Sequence, residues 1–376
     1  NALSAFAQII PLETELELVF HRGSTMHHLI ERDAKGRSNY RMGALRPNQF
    51  GVDDAHVKAY IDQVSQESGE FLQIVNYNLA GSQYAVAGTI TGLKALDADS
   101  SRRAQEAGGK KPFMLVPGID VPFHSTLLRK GVPEFREKLD SLLPENIDYQ
   151  RLVGRYIPNL VARPFELTRD FARSILEVVP SERLKAVTEN EDLWNEYAAD
   201  ESKLGRLLLV ELLSWQFASP VRWIETQSLL FTPREQGGLG LDTYVEVGLG
   251  NSPTLANLGT KTLLLPEFDG VQVNVFNVGR DETRVYMTDD DPDSLVPQDE
   301  DLDDNLDDDS QDQAQNQTSA GSQGSQAQAA PAVPAPPAVS AAPAPPAAST
   351  VSGPVSTEDI PFTAWDGIRT LIAFSA

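Results

Sequence analysis

The sequence predicts a layered α/β domain followed by a long disordered segment. Within the first 288 residues, short strand-like runs at 40–45, 72–77 and 84–87 alternate with stretches of helical period at 54–66 and 93–107. Such alternation is typical of helices packed on a sheet. Beyond residue 288 the composition turns acidic and then rich in proline and alanine, which cannot bury enough apolar surface to fold.

The remaining elements follow from the same periodicities. The first helix is expected at 12–30, with Leu16, Val19, Phe20 and Met26 on its apolar face. Further helices are predicted at 132–143 and near 165–179, 182–196 and 203–217. Further strands are predicted at 112–121, 243–247 and 271–278, with an extended segment at 155–164. Residues 40 to about 116 read as a small inserted α+β unit.

Composition excludes several classes of function. The chain has no cysteine, which rules out thiolate chemistry and is typical of a reducing cytoplasm. Between Asp289 and Asp312 there are 13 acidic and no basic residues, so over half of the net charge of −23 is local. The rest is mildly acidic, which argues against nucleic-acid binding. No apolar run approaches the roughly 20 residues that span a bilayer, so we expect no membrane segment.

The segment 289–356 is predicted to be a disordered linker. Its acidic part repels itself, and its Pro/Ala part favours an extended polyproline II conformation that acts as a semi-rigid spacer. After it, residues 357–376 resume an apolar, helix-like pattern. We therefore divide the chain into a globular part at 1–288, a linker at 289–356 and the start of a second domain at 357–376.

His124 is the first candidate for chemistry, because it follows a predicted strand and precedes a helix. A loop at such an exit exposes the imidazole while the strand fixes its position, as a general base requires. A histidine that caps the next helix or packs in a turn is the structural alternative. Position alone favours that alternative.

Arg22 lies on or beside the apolar face of the first helix. A guanidinium there keeps its charge and needs an anionic partner, so it either holds a substrate carboxylate through two hydrogen bonds or forms an internal ion pair. An arginine whose stem packs while its head reaches solvent is a further alternative. Asn76 and Asn78 end a strand, where asparagines usually make turn hydrogen bonds.

Seven short motifs stand in chain order: Phe20-His-Arg-Gly-Ser-Thr-Met, Gly36-Arg-Ser-Asn-Tyr, Val75-Asn-Tyr-Asn, Val121-Pro-Phe-His-Ser-Thr, Arg155-Tyr-Ile-Pro-Asn-Leu, Gln216-Phe-Ala-Ser-Pro-Val-Arg-Trp-Ile-Glu-Thr and Val245-Glu-Val-Gly. Together they resemble the malonyl/palmitoyl transferase domain of type I fatty acid synthases of the fungal and mycobacterial kind. Each motif is modest alone, but their order and spacing over 1–288 are specific. The resemblance implies an acyltransferase core of the α/β-hydrolase-like kind with a ferredoxin-like insertion.

The resemblance assigns roles to five residues. His124 matches the catalytic histidine, and Gln216 matches a residue whose backbone carbonyl orients that histidine. Arg22 matches the arginine that binds the free carboxylate of malonyl. Asn78 falls in the motif that lines the acyl pocket, and Phe123 matches the malonyl-type pattern rather than the methylmalonyl-type one.

The resemblance also implies a nucleophile that the chain lacks. The family's serine lies in a G-x-S-x-G turn, which is absent from this sequence. We expect it upstream of Asn1, because the first residues resemble the helix that follows that turn. Ser4 would lie inside that helix and is not a candidate.

The implied substrates are malonyl-CoA and CoA, with no cofactor bound covalently to this chain. The implied partners are the other domains of a synthase that is a homo-oligomer, together with an acyl carrier domain that bears phosphopantetheine and resembles residues from 357 onward. Two alternatives remain: an inactive tethering segment, and a related acyl hydrolase, which would transfer the acyl group to water instead of a thiol.

Overall fold

The computed structural model of the chain describes residues 7–248, 254–286 and 370–374, the last of these by their backbone only. The helices of this part are α1 (Leu12–His28), α2 (Asp54–Ser68), α3 (Ile90–Ala107), α4 (Val132–Leu142), α5 (Arg169–Val178), α6 (Glu182–Glu189), α7 (Glu191–Ala198), α8 (Glu201–Gln216), α9 (Trp223–Phe231), α10 (Leu255–Leu263) and α11 (Glu282–Tyr286). The strands are β1 (Tyr40–Leu45), β2 (Leu72–Leu79), β3 (Gln83–Thr89), β4 (Phe113–Leu115), β5 (Val221–Arg222), β6 (Thr243–Val247), β7 (Asn274–Asn277) and β8 (Thr370–Phe374).

The larger sheet has the strand order β4-β1-β3-β2-β5. Its first four strands pair antiparallel, whereas β5 pairs parallel to β2. Helix α2 connects β1 to β2 and helix α3 connects β3 to β4, so the chain order is β-α-β-β-α-β. Each of these helices is preceded by an N-cap residue whose side chain accepts a backbone hydrogen bond from the first turn, Asp53 for α2 and Thr89 for α3.

The largest apolar core surrounds α8, which is buried over most of its circumference. Helix α8 packs against α4, α6 and α7 and against Tyr149, whose ring lies against Gly205. A helix that is apolar almost all round is suited to such a central position. The C-terminal end of α8 therefore has a well-determined place, and Gln216 is its last residue.

The smaller sheet is parallel, with the order β7-β6-β8. Strand β6 has the predicted bounds. Residues 370–374 pair with β6 as a strand, so the predicted helical pattern is wrong there. A five-residue apolar run is too short for periodicity to separate a strand from a helix.

The predicted apolar face of α1 is buried only in part. Leu16, Val19 and Phe20 are exposed, at 63%, 48% and 70%, whereas Leu18 and Met26 are buried. The helix carries apolar residues on both sides, and its period alone cannot say which side meets the core. Arg22 lies on the side of Leu18.

Several other elements differ from the predictions. The predicted strand at 112–121 is only Phe113–Leu115, and the predicted helix at 182–196 is two helices. Asn190 separates those two, because its extended backbone ends α6 while its side chain accepts the N–H of Leu193 to begin α7. Helices α9, α10 and α11 and the two-residue strand β5 have no counterpart among the predictions.

Several predictions lie outside the described residues, namely the position of Ser4, the linker at 289–356 and the start of the second domain at 357–369. Among the helices that are described, none has the length and apolar character needed to cross a membrane.

Two glycines in helix interiors offer a matched test of the core. A Cβ at Gly205 would lie 2.4 Å from the ring of Tyr149, whereas a Cβ at Gly23 in α1 would meet nothing within 4 Å. We expect Gly205→Ala to lower the free energy of unfolding by about 1–3 kcal/mol, because α8 and Tyr149 must separate. Gly23→Ala should raise it by up to about 1 kcal/mol through helix propensity. Urea denaturation of both variants measures this, and a stabilised Gly205→Ala would contradict the packing.

Candidate active site

His124 stands in a loop with an uncommon backbone conformation. Its φ is +59°, in the left-handed region that non-glycine residues rarely adopt. Surrounding contacts hold it there: its N–H donates to the carbonyl of Phe217 at 3.0 Å. Two residues later, the N–H and hydroxyl of Thr126 both donate to Oε1 of Gln73 on β2, at 3.0 Å each. A strained backbone conformation that several surrounding contacts hold in place is characteristic of functional sites.

The imidazole is oriented by the C-terminal end of α8. Its Nδ1 lies 2.9 Å from the backbone carbonyl oxygen of Gln216. A carbonyl oxygen can only accept, so Nδ1 carries the proton and Nε2 keeps its lone pair. Helix C-terminal carbonyls have no partner inside the helix, which makes them available for this bond. The structure thus pairs His124 with the backbone group that the resemblance implied.

Arg22 lies beside this pair. Together with Glu15, Leu18 and Gln216 it lines a cavity of about 20 Å³ between α1, α4 and α8, which has room for one water. Its Nε is buried without a hydrogen-bond partner. Within the described ranges Arg22 makes no ion pair, which disfavours the internal-pair alternative. Burial lowers the pKa of the guanidinium from its ordinary value.

The electrostatics keep His124 neutral. Burial is the main cause that lowers its pKa to about 4, and the nearby charge of Arg22 lowers it further. Hydrogen bonds to the backbone of Gln216 and Ser219 act in the opposite direction without offsetting these effects. At neutral pH the ring is therefore unprotonated at Nε2 and can accept a proton, as a general base must.

Phe123 and Asn78 are placed differently. Phe123 is half-buried and packs between the main core and a small cluster on the larger sheet that includes Met42 and Val75. Asn78 lies near the end of β2, and its carbonyl accepts a hydrogen bond from Gln227 of α9 at 2.9 Å. No hydrogen bond in the described part of the chain joins Asn78 to His124, Arg22 or Gln216, so its role stays a prediction.

The motif comparison missed several groups at the site. Phe217 and Ser219 contact His124 through their backbones, and backbone contacts leave no side-chain signal in a sequence. Arg32 also pairs with Asp120 and ties the start of the loop to the segment after α1. The hydroxyls of Ser125 and Ser219 are buried without partners. Among the described residues no group of three or more His, Cys, Asp or Glu could hold a metal ion.

Comparison with known proteins relates the chain to large fungal enzymes. It is 34% identical over 339 residues to fatty acid synthase 2 of Mycosarcoma maydis, a match that covers 79% of this chain and 9% of the fungal protein. It is 31% identical over 241 residues to the fatty acid synthase subunit beta of Schizosaccharomyces pombe, covering 52% of this chain and 12% of that one. The chain is a homologue of part of the fatty acid synthases.

This finding confirms the resemblance that the seven motifs indicated. The synthase homologue spans about a tenth of the length of the fungal proteins it matches. No protein-family model matches it. Among solved structures, the malonyl CoA-acyl carrier protein transacylase of Coxiella burnetii aligns with 72% of this chain and 62% of its own, at 17% identity and a TM-score of 0.45.

The neutral state of His124 can be tested by titration. We expect the pKa of His124 to be about 4 in an NMR titration of the histidine ring signals, against 6.5 for an ordinary histidine. In Arg22→Gln this pKa should rise, because removal of a nearby positive charge favours the imidazolium. The rise should be partial, since burial is the larger cause. A pKa that is unchanged in Arg22→Gln would show that the two groups do not interact.

Proposed function

We propose that this segment is the acyltransferase part of a fatty acid synthase and moves malonyl from CoA to the phosphopantetheine thiol of an acyl carrier domain, with His124 as the base. One observation carries the proposal: Nδ1 of His124 donates to the Gln216 carbonyl while the pKa of the ring stays low, leaving Nε2 ready to accept a proton. The homology to fatty acid synthases supports the choice of reaction.

The reaction proceeds by covalent exchange through a serine. Nε2 of His124 takes the serine hydroxyl proton as the oxygen attacks the malonyl thioester, and the collapsing tetrahedral intermediate expels the CoA thiolate, which takes that proton. In the second half, Nε2 takes the proton of the phosphopantetheine thiol, whose sulfur attacks the malonyl-serine ester. The serine oxygen then leaves and is reprotonated by His124.

The given sequence contains no G-x-S-x-G turn of the kind that carries such a serine. We propose that the polypeptide upstream of Asn1 in the synthase supplies it, along with the donors of the oxyanion hole. The fungal relatives are far longer than the matched region, which is compatible with that arrangement.

Arg22 is proposed to select malonyl by its free carboxylate. The guanidinium is close to His124, makes no ion pair within the described residues and has a buried Nε without a partner, so a substrate carboxylate would satisfy it. Phe123 is proposed to shape the pocket beside the base and Asn78 to line it, following the family pattern. Palmitoyl, which has no free carboxylate, would use the same serine and base without the Arg22 interaction.

The remaining proposals concern organisation and partners. We propose that 40–116 is an inserted ferredoxin-like unit, a division supported by its β-α-β-β-α-β order. We propose that 289–356 tethers a carrier domain, which would raise its effective concentration at the transferase. We also propose that the segment works beside the other domains of the synthase, that the synthase assembles as a homo-oligomer and that it is located in the cytoplasm.

Arg22→Gln in the parent synthase tests the carboxylate interaction. We expect kcat/KM for malonyl transfer to fall about 10–100-fold, the cost of losing a charged hydrogen-bonded contact, while palmitoyl transfer changes little. Arg102→Gln, which removes an equal charge from an exposed ion pair on α3, is the control and should leave both rates unchanged. Equal losses for the two acyl groups would refute the selectivity proposal.

The source of the nucleophile distinguishes a transferase from an inactive tether. The 376-residue chain incubated with radiolabelled malonyl-CoA should acquire no covalent label, whereas the same chain extended upstream should acquire label on one serine. His124→Ala in the extended protein should slow that labelling at least about 10³-fold. Label on the unextended chain would place the nucleophile elsewhere, and an extended protein without label would support the tether. Release of malonate to water without transfer to a thiol would favour a hydrolase.

A further inference from the structure

Glu211 is a fully buried carboxylate in the middle of α8, with an exposed fraction of 0%. It accepts from four donors: Nε and Nη2 of Arg136 at 2.7 and 2.9 Å, the hydroxyl of Ser181 at 2.6 Å and the indole N–H of Trp215 at 3.1 Å. Arg136 belongs to α4, and Ser181 begins α6. One carboxylate thus joins three helices through both of its oxygens.

A buried ion pair of this kind needs a reason beyond stability. Removing a carboxylate and a guanidinium from water costs about as much free energy as their attraction returns, so well-packed apolar residues would serve the core equally well. What such a pair adds is geometric definition, because bidentate hydrogen bonds tolerate little rotation or sliding of one helix along another. The question is therefore which geometry the Glu211 network defines.

The network ends at the site. Trp215, the indole donor, immediately precedes Gln216. The guanidinium carbon of Arg129 lies 6.0 Å from the centroid of the Trp215 ring. Arg129 belongs to the 3-10 helix Thr126–Gly131 that follows the loop of His124. On the other side, Phe135, next to Arg136, packs edge to face on Phe217 with 5.6 Å between ring centroids. Contacts from α4 and from the loop thus bracket the residue whose carbonyl holds Nδ1.

We propose that Glu211 is a positioning residue for the base. Through Trp215 and Arg136 it sets the last turn of α8, so that the Gln216 carbonyl points at Nδ1 of His124 and selects the tautomer with Nε2 unprotonated. The catalytic consequence rests on the proposed acyl transfer, whereas the effect on the ring does not.

The decisive experiment reads the tautomer of His124 directly. In the 376-residue chain with ¹⁵N-labelled histidine, the signals of His124 are assigned among five histidines by their loss in His124→Gln. At neutral pH the wild type should show a proton on Nδ1 and none on Nε2. Glu211→Gln should shift the two ¹⁵N signals toward each other as the Nε2-protonated form becomes populated. In the parent synthase the same variant should lower kcat about 10–100-fold, which is the usual loss when a residue that orients a functional side chain is replaced. KM should change little, because Glu211 is not proposed to contact the substrate.

Two further variants separate positioning from general destabilisation. Asp99→Asn removes a carboxylate that accepts from Tyr60, Arg102 and Arg103 in the separate core of α2 and α3, and it should leave the His124 signals unchanged. Trp215→Phe keeps a ring but removes the indole donor, and it should reproduce the shift if Glu211→Gln fails to fold. The proposal is overturned if Glu211→Gln folds and its His124 signals match those of the wild type. If only Trp215→Phe folds, the same result in that variant overturns it. If Glu211→Gln shifts the tautomer but the wild-type parent synthase transfers no malonyl, the positioning role is upheld and the proposed function is refuted.

Discussion

The hydrogen bond from Nδ1 of His124 to the carbonyl of Gln216 is the interaction on which the site depends. It joins residues 92 positions apart, one in a strained loop and the other at the end of a buried helix. Neither partner could be displaced far without losing the bond. Much of the surrounding structure serves that requirement: the loop is tied to β2 by Thr126 and to the chain after α8 by the Phe217 carbonyl.

Buried charge is the second theme of the molecule. Arg22 lies beside α8 and Glu211 belongs to it, but their surroundings differ in a way that matches their proposed roles. Glu211 has four donors and is fully satisfied, as a residue that defines geometry should be. Arg22 has a buried Nε without a partner and depresses the pKa of the neighbouring histidine, as expected of a cation that awaits an anion. A backbone carbonyl orients the histidine where a catalytic triad has a carboxylate, so the proposed base is oriented without the rise in pKa that a carboxylate would cause.

The two apolar patterns that sequence reasoning relied on were not equally informative. The short strand-like run at 243–247 predicts the bounds of β6 correctly, because a run of this length leaves little room for a different assignment. The helical period of α1 predicts a helix but does not fix its buried side, since Met26 of the predicted face is buried while Leu16 and Phe20 are exposed. Glu211 was overlooked for a related reason: a single carboxylate within an apolar helix reads as a surface residue until its partners on α4 and before α6 are known.

The sequence by itself determined the alternation of helices and strands, the change of composition at residue 289 and, through the order of its motifs, the kinship with fatty acid synthases. These properties depend on the identity of residues and on their spacing along the chain, both of which can be read directly from the amino-acid sequence. Only the tertiary structure decided that Arg22 and Gln216 lie beside His124, that burial keeps the histidine neutral and that Glu211 accepts hydrogen bonds from Arg136, Ser181 and Trp215. Distances between remote residues, and the desolvation that shifts a pKa, arise from packing, and no window of sequence contains both partners.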